Sequence, residues 1–407
     1  MIPATQKAHI RPVHPFPARM APSIVWDALP SQGDSLKVLD PMSGSGTTLA
    51  CARMRGHHAF GCDTDPLALL ISRTWCADAD PEKVLRRAKL VLERAIELAK
   101  CLRLENSYPK GADVETRKFI DFWFDPETRR DLTALSTCIS RVRSESERMF
   151  LWCAFSRMII TKSAGVSLAR DVSHSRPHRA YAVAPVKPFN IFQKAVATVV
   201  KNCPFTMEAK VAPSVNVQHG DARSLPIESS SMDIILTSPP YLNAIDYLRG
   251  HKLSLVWMGH EIPEIRSIRS GNIGAEVSIK HSTDIAIQEA MSSMATLDEM
   301  SKRHLGMIRR YVLDMKQVIK ECARVLKVNG KAIFVVGDST IRGVFIKNSE
   351  ALASLAKQHG LTLVSRTTRP IETRRRYLPP PESIKAGDRM QNRMREEVIL
   401  HFVKAGS

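Results

Sequence analysis

Two short stretches of this 407-residue chain hold residue types whose spacing suits chemistry. The first is "DIILTSPPYL", Asp233 to Leu242. Ile234, Ile235 and Leu236 read as a buried strand that runs straight into Thr237, Ser238, Pro239, Pro240 and Tyr241. Two adjacent prolines remove two backbone donors and fix two φ angles. The strand therefore ends in a rigid corner that holds out one hydroxyl and one aromatic ring. Taken alone, "SPPY" is explained equally well as a plain strand stop. The second stretch is "LKVLDPMSGSGTTLA", Leu36 to Ala50, a short strand followed by a glycine-rich turn. Such a turn lets a ligand approach the backbone closely. It is not the dinucleotide fingerprint, because position 49 is leucine, and it is not a phosphate-binding loop, because no Gly-Lys-Ser/Thr follows. Asp40 ends this strand, and Asp63 ends the next one, "HAFGCD". A carboxylate in the second position can hold both hydroxyls of a ribose. The two aspartates around "SGSG" point to a nucleoside-bearing ligand.

The elements that must position these residues follow from periodicity. "TTLACARMRG" reads as a helix stopped by Gly56, which makes a β-turn-α-β unit with an acidic residue at the carboxyl end of each strand. From Asp78 to Asn202 the pattern turns helical. One helix there opens with Asp125 as N-cap, Pro126 in the first position and Glu127 in the first turn. The polar, basic stretch "SLARDVSHSRPHRAY" has no period and reads as a loop. Strand signals return at Val215 to Asp221 and Asp233 to Leu236. "DMKQVIKECARVLKVNG" reads as a helix stopped by Gly330, then "KAIFVVGD" as a strand, "NSEALASLAKQHG" as a helix, and "LTLVSRTT" and "EEVILHFVK" as the last two strands. Outside the helical middle, strands and helices alternate. That predicts a doubly wound α/β sheet interrupted by an all-helical insertion. The expected division is 1–77, 78–204 for the insertion, and 205–407.

The formal net charge is +18, which suggests a polyanionic partner such as nucleic acid. Eight cysteines lie scattered with no CxxC or zinc spacing, as expected of reduced thiols in the cytoplasm. His14, His174 and His178 form no metal-ligand pattern, and no metal is expected. No apolar run approaches the ~20 residues of a membrane span, so no membrane partner is expected.

"DPMSGSGTT", "GCDTDPLA", "GDARSLP" and "TSPPY" together resemble the motifs of the S-adenosylmethionine-dependent DNA amino-methyltransferases. "HPFPARMAPSIV" resembles the segment that packs over the methionine part of the cofactor in that family. The pairing of "DPMSGSGT" with "TSPPY" is the specific part. The resemblance implies a seven-stranded, mostly parallel, Rossmann-like methyltransferase sheet. It also implies that Asp40, Pro41, Ser43, Gly44, Gly46 and Thr47 line the cofactor's amino-acid portion and that Asp63 binds the ribose. Asp221 and Ala222 would meet the adenine, and Phe16 and Pro17 would close over the methionine end. Ser238, Pro239, Pro240 and Tyr241 would form the catalytic corner. There the Ser238 hydroxyl and Pro239 carbonyl accept hydrogen bonds from an exocyclic amine and free its lone pair, and Tyr241 stacks on an extruded base.

The expected partner is double-stranded DNA, with RNA an alternative and a restriction endonuclease as a further partner. Candidate nucleic-acid contacts are Arg170, Arg176 and Arg179 in the basic loop and Arg374, Arg375 and Arg376 between the last two strands. A solvated face is the competing explanation of each run. Serine at the head of the motif, in place of Asp or Asn, leans toward cytosine N4 over adenine N6. An RNA base methyltransferase, a protein-glutamine methyltransferase and a degenerate nucleic-acid-binding module are the other readings. The glutamine enzyme would want Asn-Pro-Pro-Tyr, and the intact glycines, Asp63 and "SPPY" weigh against the degenerate module.

Overall fold

The computed structural model describes residues 10–17, 19–31, 33–78, 80–162, 164–204, 213–242, 246–275, 284–295, 297, 300–341, 344–371 and 396–406. Its centre is a seven-stranded sheet. The strands are β1 (Lys37–Asp40), β2 (His58–Asp63), β3 (Val215–His219), β4 (Met232–Thr237), β5 (Leu326–Gly337), β6 (Leu361–Pro370) and β7 (Glu396–Lys404). They lie in the order β3-β2-β1-β4-β5-β7-β6. The first five run parallel to their neighbours, and β7 is antiparallel to both β5 and β6. The reversal of strand order falls between β1 and β4, where Val38 pairs with Ile234 and Leu39 with Ile235. Ligands of open parallel sheets sit outside the carboxyl ends at that point.

The central strands are apolar on successive residues because both faces of the sheet are covered. Val38, Ile234, Leu236 and Ile333 belong to one buried cluster, and Leu39, Ile235, Ala332 and Phe334 to the other. The helices are α1 (Pro22–Ala28), α2 (Thr47–Met54), α3 (Pro66–Cys76), α4 (Pro81–Cys101), α5 (Val114–Trp123), α6 (Pro126–Ser140), α7 (Glu145–Ile159), α8 (Pro188–Asn202), α9 (Tyr247–Leu255), α10 (Ile262–Gly271), α11 (Ile285–Met294), α12 (Lys302–Val325) and α13 (Asn348–Gln358). Core residues of α4 and of α6 to α9 join the first cluster, and those of α11 to α13 the second.

The helical stretch between β2 and β3 is built as its sequence suggests. Asp80, Asp113, Asp125 and Ser144 each cap a helix through a side-chain oxygen. Asp125 accepts the Thr128 N–H at 3.0 Å and also the Ala184 N–H at 2.9 Å. These helices share the core of the sheet. Phe124 meets Trp257, which follows α9, edge-on at 5.2 Å, and α7 packs on α3 and α9.

Three sequence expectations change. The long helix ends at Val325, and residues 326–330 already belong to β5. Gly330 therefore does not stop a helix; a Cβ there would sit 2.8 Å from Leu326 Cγ, after Asn329 at φ 61°. The basic stretch is not pure loop, since Ala169–Arg170 pairs antiparallel with His178–Arg179. Helices α9 to α11 had no counterpart in the sequence reading. Among the described residues, no helix is long and apolar enough to cross a membrane.

Candidate active site

Four segments leave the carboxyl ends of β1, β2, β3 and β4 and converge on one cleft of about 660 Å³. Phe16, Asp40, Pro41, Ser43, Gly44, Thr47, Asp63, Asp221, Ala222, Ser238 and Pro240 all line it. Phe16 and Pro240, 224 positions apart in sequence, are thus brought together.

The turn after β1 is tied to the end of β2. Gly44, at φ 47°, donates its N–H to Asp63 Oδ2 at 2.8 Å, and Asp65 donates its N–H to Asp63 Oδ1 at 3.0 Å. Burial pushes the Asp63 carboxyl up to about 7, with Asp65 adding like charge against the two backbone hydrogen bonds. Burial likewise raises Asp40 to about 6. Two carboxyls whose charged forms are disfavoured by burial on one cleft are the pattern expected of a candidate binding or catalytic site. Ser43 Oγ and Thr47 Oγ1 are buried on the cleft wall without a hydrogen-bond partner. Buried hydroxyls of that kind cost stability unless a ligand satisfies them. The turn, the two hydroxyls and Asp63 fit the amino-acid and ribose portions of S-adenosylmethionine. Gly46 does something else. At φ 84° it caps α2, and a Cβ there would stand 2.8 Å from Ser72 Cβ, so it lets α2 and α3 approach and is not on the cleft wall.

Asp221 is already engaged. Its carboxylate takes Arg223 Nη2 at 2.6 Å and Nε at 3.0 and 3.1 Å, while Arg223 Nη1 reaches Asp314 at 2.8 Å and Nη2 reaches the Gly271 carbonyl at 2.7 Å. Burial opposes the Asp221 charge, but the guanidinium outweighs it and holds the carboxyl below its usual range. Arg223 thus pins the "GDAR" turn to α12 and to the end of α10.

At the end of β4, Ser238 and Pro240 face the cleft, Pro239 is buried, and Tyr241 is half-buried beside it. Ser238 Oγ and Tyr241 Oη are 3.4 Å apart, and Tyr241 Oη is 3.4 Å from Glu397 Oε1 on β7. Glu397 in turn faces Arg369 at 3.5 Å. Burial and the Glu397 carboxylate push the tyrosine hydroxyl well above its ordinary value. The cleft aromatics are Phe16 and Tyr247, stacked at 5.3 Å and 24°. His251 lies 5.1 Å from the Phe16 ring and holds Asp65 Oδ2 at 2.5 Å through Nδ1. Pro17 is buried and not on the wall.

Of the basic candidates, Arg176 lines the cleft, whereas Arg170 and Arg179 do not, and Arg179 stacks over Phe122 at 5.4 Å. Arg374, Arg375 and Arg376 lie outside the described residues. Sequence reasoning missed Tyr247, Arg223, Glu397 and the cleft arginines Arg249, Arg266 and Arg269. The spacing of Ile262, Ile265 and Ile268, with Pro263 in the first turn and Gly271 at the end, is a helix signal that could have found the last two.

The chain is 25% identical over 383 residues to the type II methyltransferase M.MvaI of Kocuria varians, covering 86% of this chain and 81% of that one. It is 24% identical to the type II methyltransferase M.AvaI of Anabaena variabilis, covering 80% and 73%. The chain is a relative of the type II methyltransferases. A further such relative, M.BsoBI of Geobacillus stearothermophilus, is 24% identical over 65% of this chain and 55% of its own. No family model matches the chain. Among solved structures, a SAM-dependent methyltransferase from Methanosarcina mazei aligns with 93% of this chain and 96% of its own at 9% identity and a TM-score of 0.34.

Proposed function

We propose that this chain transfers a methyl group from S-adenosylmethionine to the exocyclic N4 amine of cytosine in double-stranded DNA. The observation that carries the reading is the single cleft that joins the "SGSG" turn and Asp63 to the Ser238–Pro239–Pro240 corner. The type II methyltransferase relatives support DNA methylation. Serine in place of an acid or amide at the head of the corner supports cytosine over adenine.

When bound, S-adenosylmethionine supplies an electrophilic sulfonium methyl group. Asp63 would hold its ribose, the Gly44 turn with Ser43 and Thr47 its amino-acid portion, and the Asp221–Ala222 turn its adenine. The rest is done by the corner. An exocyclic amine is a poor nucleophile because its lone pair is delocalised into the ring. Ser238 Oγ and the Pro239 carbonyl accept its two N–H bonds, and the two prolines hold both acceptors without reorganisation.

A serine that accepts from the amine must donate its own proton elsewhere, and Tyr241 Oη is in reach. Tyr241 then donates to Glu397. Both contacts are long, as such bonds often are before substrate tightens them. The same chain gives the surplus amine proton a way out. Ser238 takes it and passes its own to Tyr241, and Tyr241 passes its own to the Glu397 carboxylate.

The test is transfer of tritiated methyl groups to purified DNA and RNA of mixed sequence. Labelling of DNA that is lost in Ser238→Ala is expected. Labelling of RNA alone, or of neither, refutes the reading.

A further inference from the structure

Four arginines from three separate segments meet on one side of the cleft. Arg176 comes from the hairpin inside the helical stretch, Arg249 from α9, and Arg266 and Arg269 from α10. All four are exposed. Their placement is built, not incidental. Ser175, at φ 55°, donates its hydroxyl to the Asp246 carbonyl and accepts the Gly250 N–H at 3.3 Å. Any Cβ at Gly250 would stand 2.7 Å from the Val172 carbonyl, so a glycine in α9 is what lets the hairpin dock. Helix α10 is anchored to α5 by the Ile262 N–H on Thr116 Oγ1 at 3.0 Å and by Arg266 on Glu115. Asp246 faces two of the arginines, Arg269 at 2.6 Å and Arg249 at 3.7 Å. Burial holds the nearby Lys252 ammonium below its ordinary value, with Arg269, Arg249 and Arg266 adding like charge against the opposing Asp246.

We propose that Arg176, Arg249, Arg266 and Arg269 form the surface that takes the phosphodiester backbone of double-stranded DNA beside the reacting base. The inference rests on the methyltransferase reading of the cleft and adds its docking face. Arginine is suited to it, since its planar fork matches phosphate oxygens in pairs. Single-stranded RNA is read largely by stacking its bases on aromatic or arginine planes. The aromatics among the described cleft residues are Phe16 and Tyr247, which are stacked on each other, so a duplex backbone fits this rim better. Asp246 acts as an internal stand-in for phosphate, a counter-ion that DNA must displace from Arg249 and Arg269.

Fluorescence anisotropy of a labelled 30-base-pair duplex of arbitrary sequence, titrated with the full chain over a series of KCl concentrations, tests the proposal. Replacing Arg249, Arg266 and Arg269 by glutamine should reduce the slope of log affinity against log salt by about 2.7, at ~0.9 per phosphate contact. The corresponding lysine variants should keep the slope, which separates loss of charge from loss of fold. Asp246→Asn should bind the duplex more tightly than the parent chain. An unchanged slope in the glutamine variant, a slope that falls only when Arg374, Arg375 and Arg376 are replaced, tighter binding of single-stranded RNA than of the duplex, or no binding of the duplex by the parent chain would overturn it. Methyl transfer is measured separately on the same samples. Transfer to DNA with an unchanged slope removes the docking face and leaves the reaction, whereas the slope change without any transfer removes the reaction and leaves the face.

Discussion

The Gly44 N–H donates to Asp63 Oδ2 at 2.8 Å, which ties the glycine turn after β1 to the last residue of β2. One oxygen of the ribose-binding candidate is thereby fixed before any ligand arrives, and Asp65 fixes the other at 3.0 Å. A carboxylate held this way need not reorganise to accept two hydroxyls, but burial keeps its proton affinity high.

The first prediction follows from that proton. Only the ionised Asp63 accepts both ribose hydroxyls, so affinity for S-adenosylmethionine should rise with pH through about 7 and level off above. In Asp63→Asn it should be weaker by roughly 1.5–3 kcal/mol at pH 8 and lose most of this pH dependence. Calorimetry from pH 6 to 8.5 measures both. Equal affinity in parent and variant would remove the ribose assignment.

The same shift has a consequence for stability, with the opposite sign. The folded-state value of about 7 stands above the ordinary 3.8, so between those values the folded chain binds more protons than the unfolded one. Stability contributed by this group therefore falls as pH rises from about 4 to about 7 and is flat above. Without ligand, the melting temperature of Asp63→Asn relative to the parent chain should shift in the variant's favour as pH rises from about 4 to about 7, on top of a constant loss from the one backbone N–H its amide cannot accept. A difference that does not change with pH would contradict it.

Much of the sheet is legible in the chain because its strands are short apolar runs bounded by Gly, Pro or Asp. The β1-turn-α2-β2 unit reads correctly since turn, cap and strand ends are all local. The stretch holding α9 does not, because Gly250 sits inside that helix and Gly259 just beyond it. In the fold Gly250 is the point where the hairpin docks, and Gly259, at φ 97°, ends the short turn after α9. Gly330 misleads in the same way: a close approach to Leu326 looks in sequence like a helix stop. What no local pattern carries is pairing at a distance. Arg223 finds Asp314 across 91 residues, and Tyr241 finds Glu397 across 156.

Arg223 supplies a second stability test. Arg223→Ala leaves Asp221 and the 3%-exposed Asp314 without their shared guanidinium. Breaking a fully buried pair costs about 3–5 kcal/mol, but Arg310 still faces Asp314 at 3.0 Å, so roughly 2–3 kcal/mol is expected here. Urea unfolding measures it, and a loss under ~0.5 kcal/mol would mean the network is a surface feature.

Gly46 separates packing from binding. Gly46→Ala forces a Cβ to within 2.8 Å of Ser72 Cβ at φ 84° and should cost about 1–3 kcal/mol of stability. Pairing it with Ser72→Gly should not recover the loss, because the Ser72 Cα would still stand 2.9 Å from the new Cβ. Full recovery in thermal melts would contradict this backbone clash.

Glu397 is tested by exchange that preserves shape. Glu397→Gln removes the terminal proton acceptor behind Tyr241, so single-turnover methyl transfer should slow by about 10²-fold, on the scale of general-base contributions. Affinity for S-adenosylmethionine should not move, because Glu397 lies behind the corner and not on the cleft wall. Unchanged transfer rates would remove the proton path while leaving Ser238 and Pro239 as acceptors.

The most direct measurement is mass spectrometry of nucleosides from DNA methylated in single-turnover reactions by the parent chain and by Ser238→Ala. The result expected is 4-methylcytosine from the parent chain and transfer slowed by roughly 10²–10³ in the variant, on the scale of losing one preorganised hydrogen-bonding group. N6-methyladenine alone would replace the target base. An undiminished rate in Ser238→Ala, or no methylated nucleoside from a parent chain that binds S-adenosylmethionine, would contradict the catalytic corner itself.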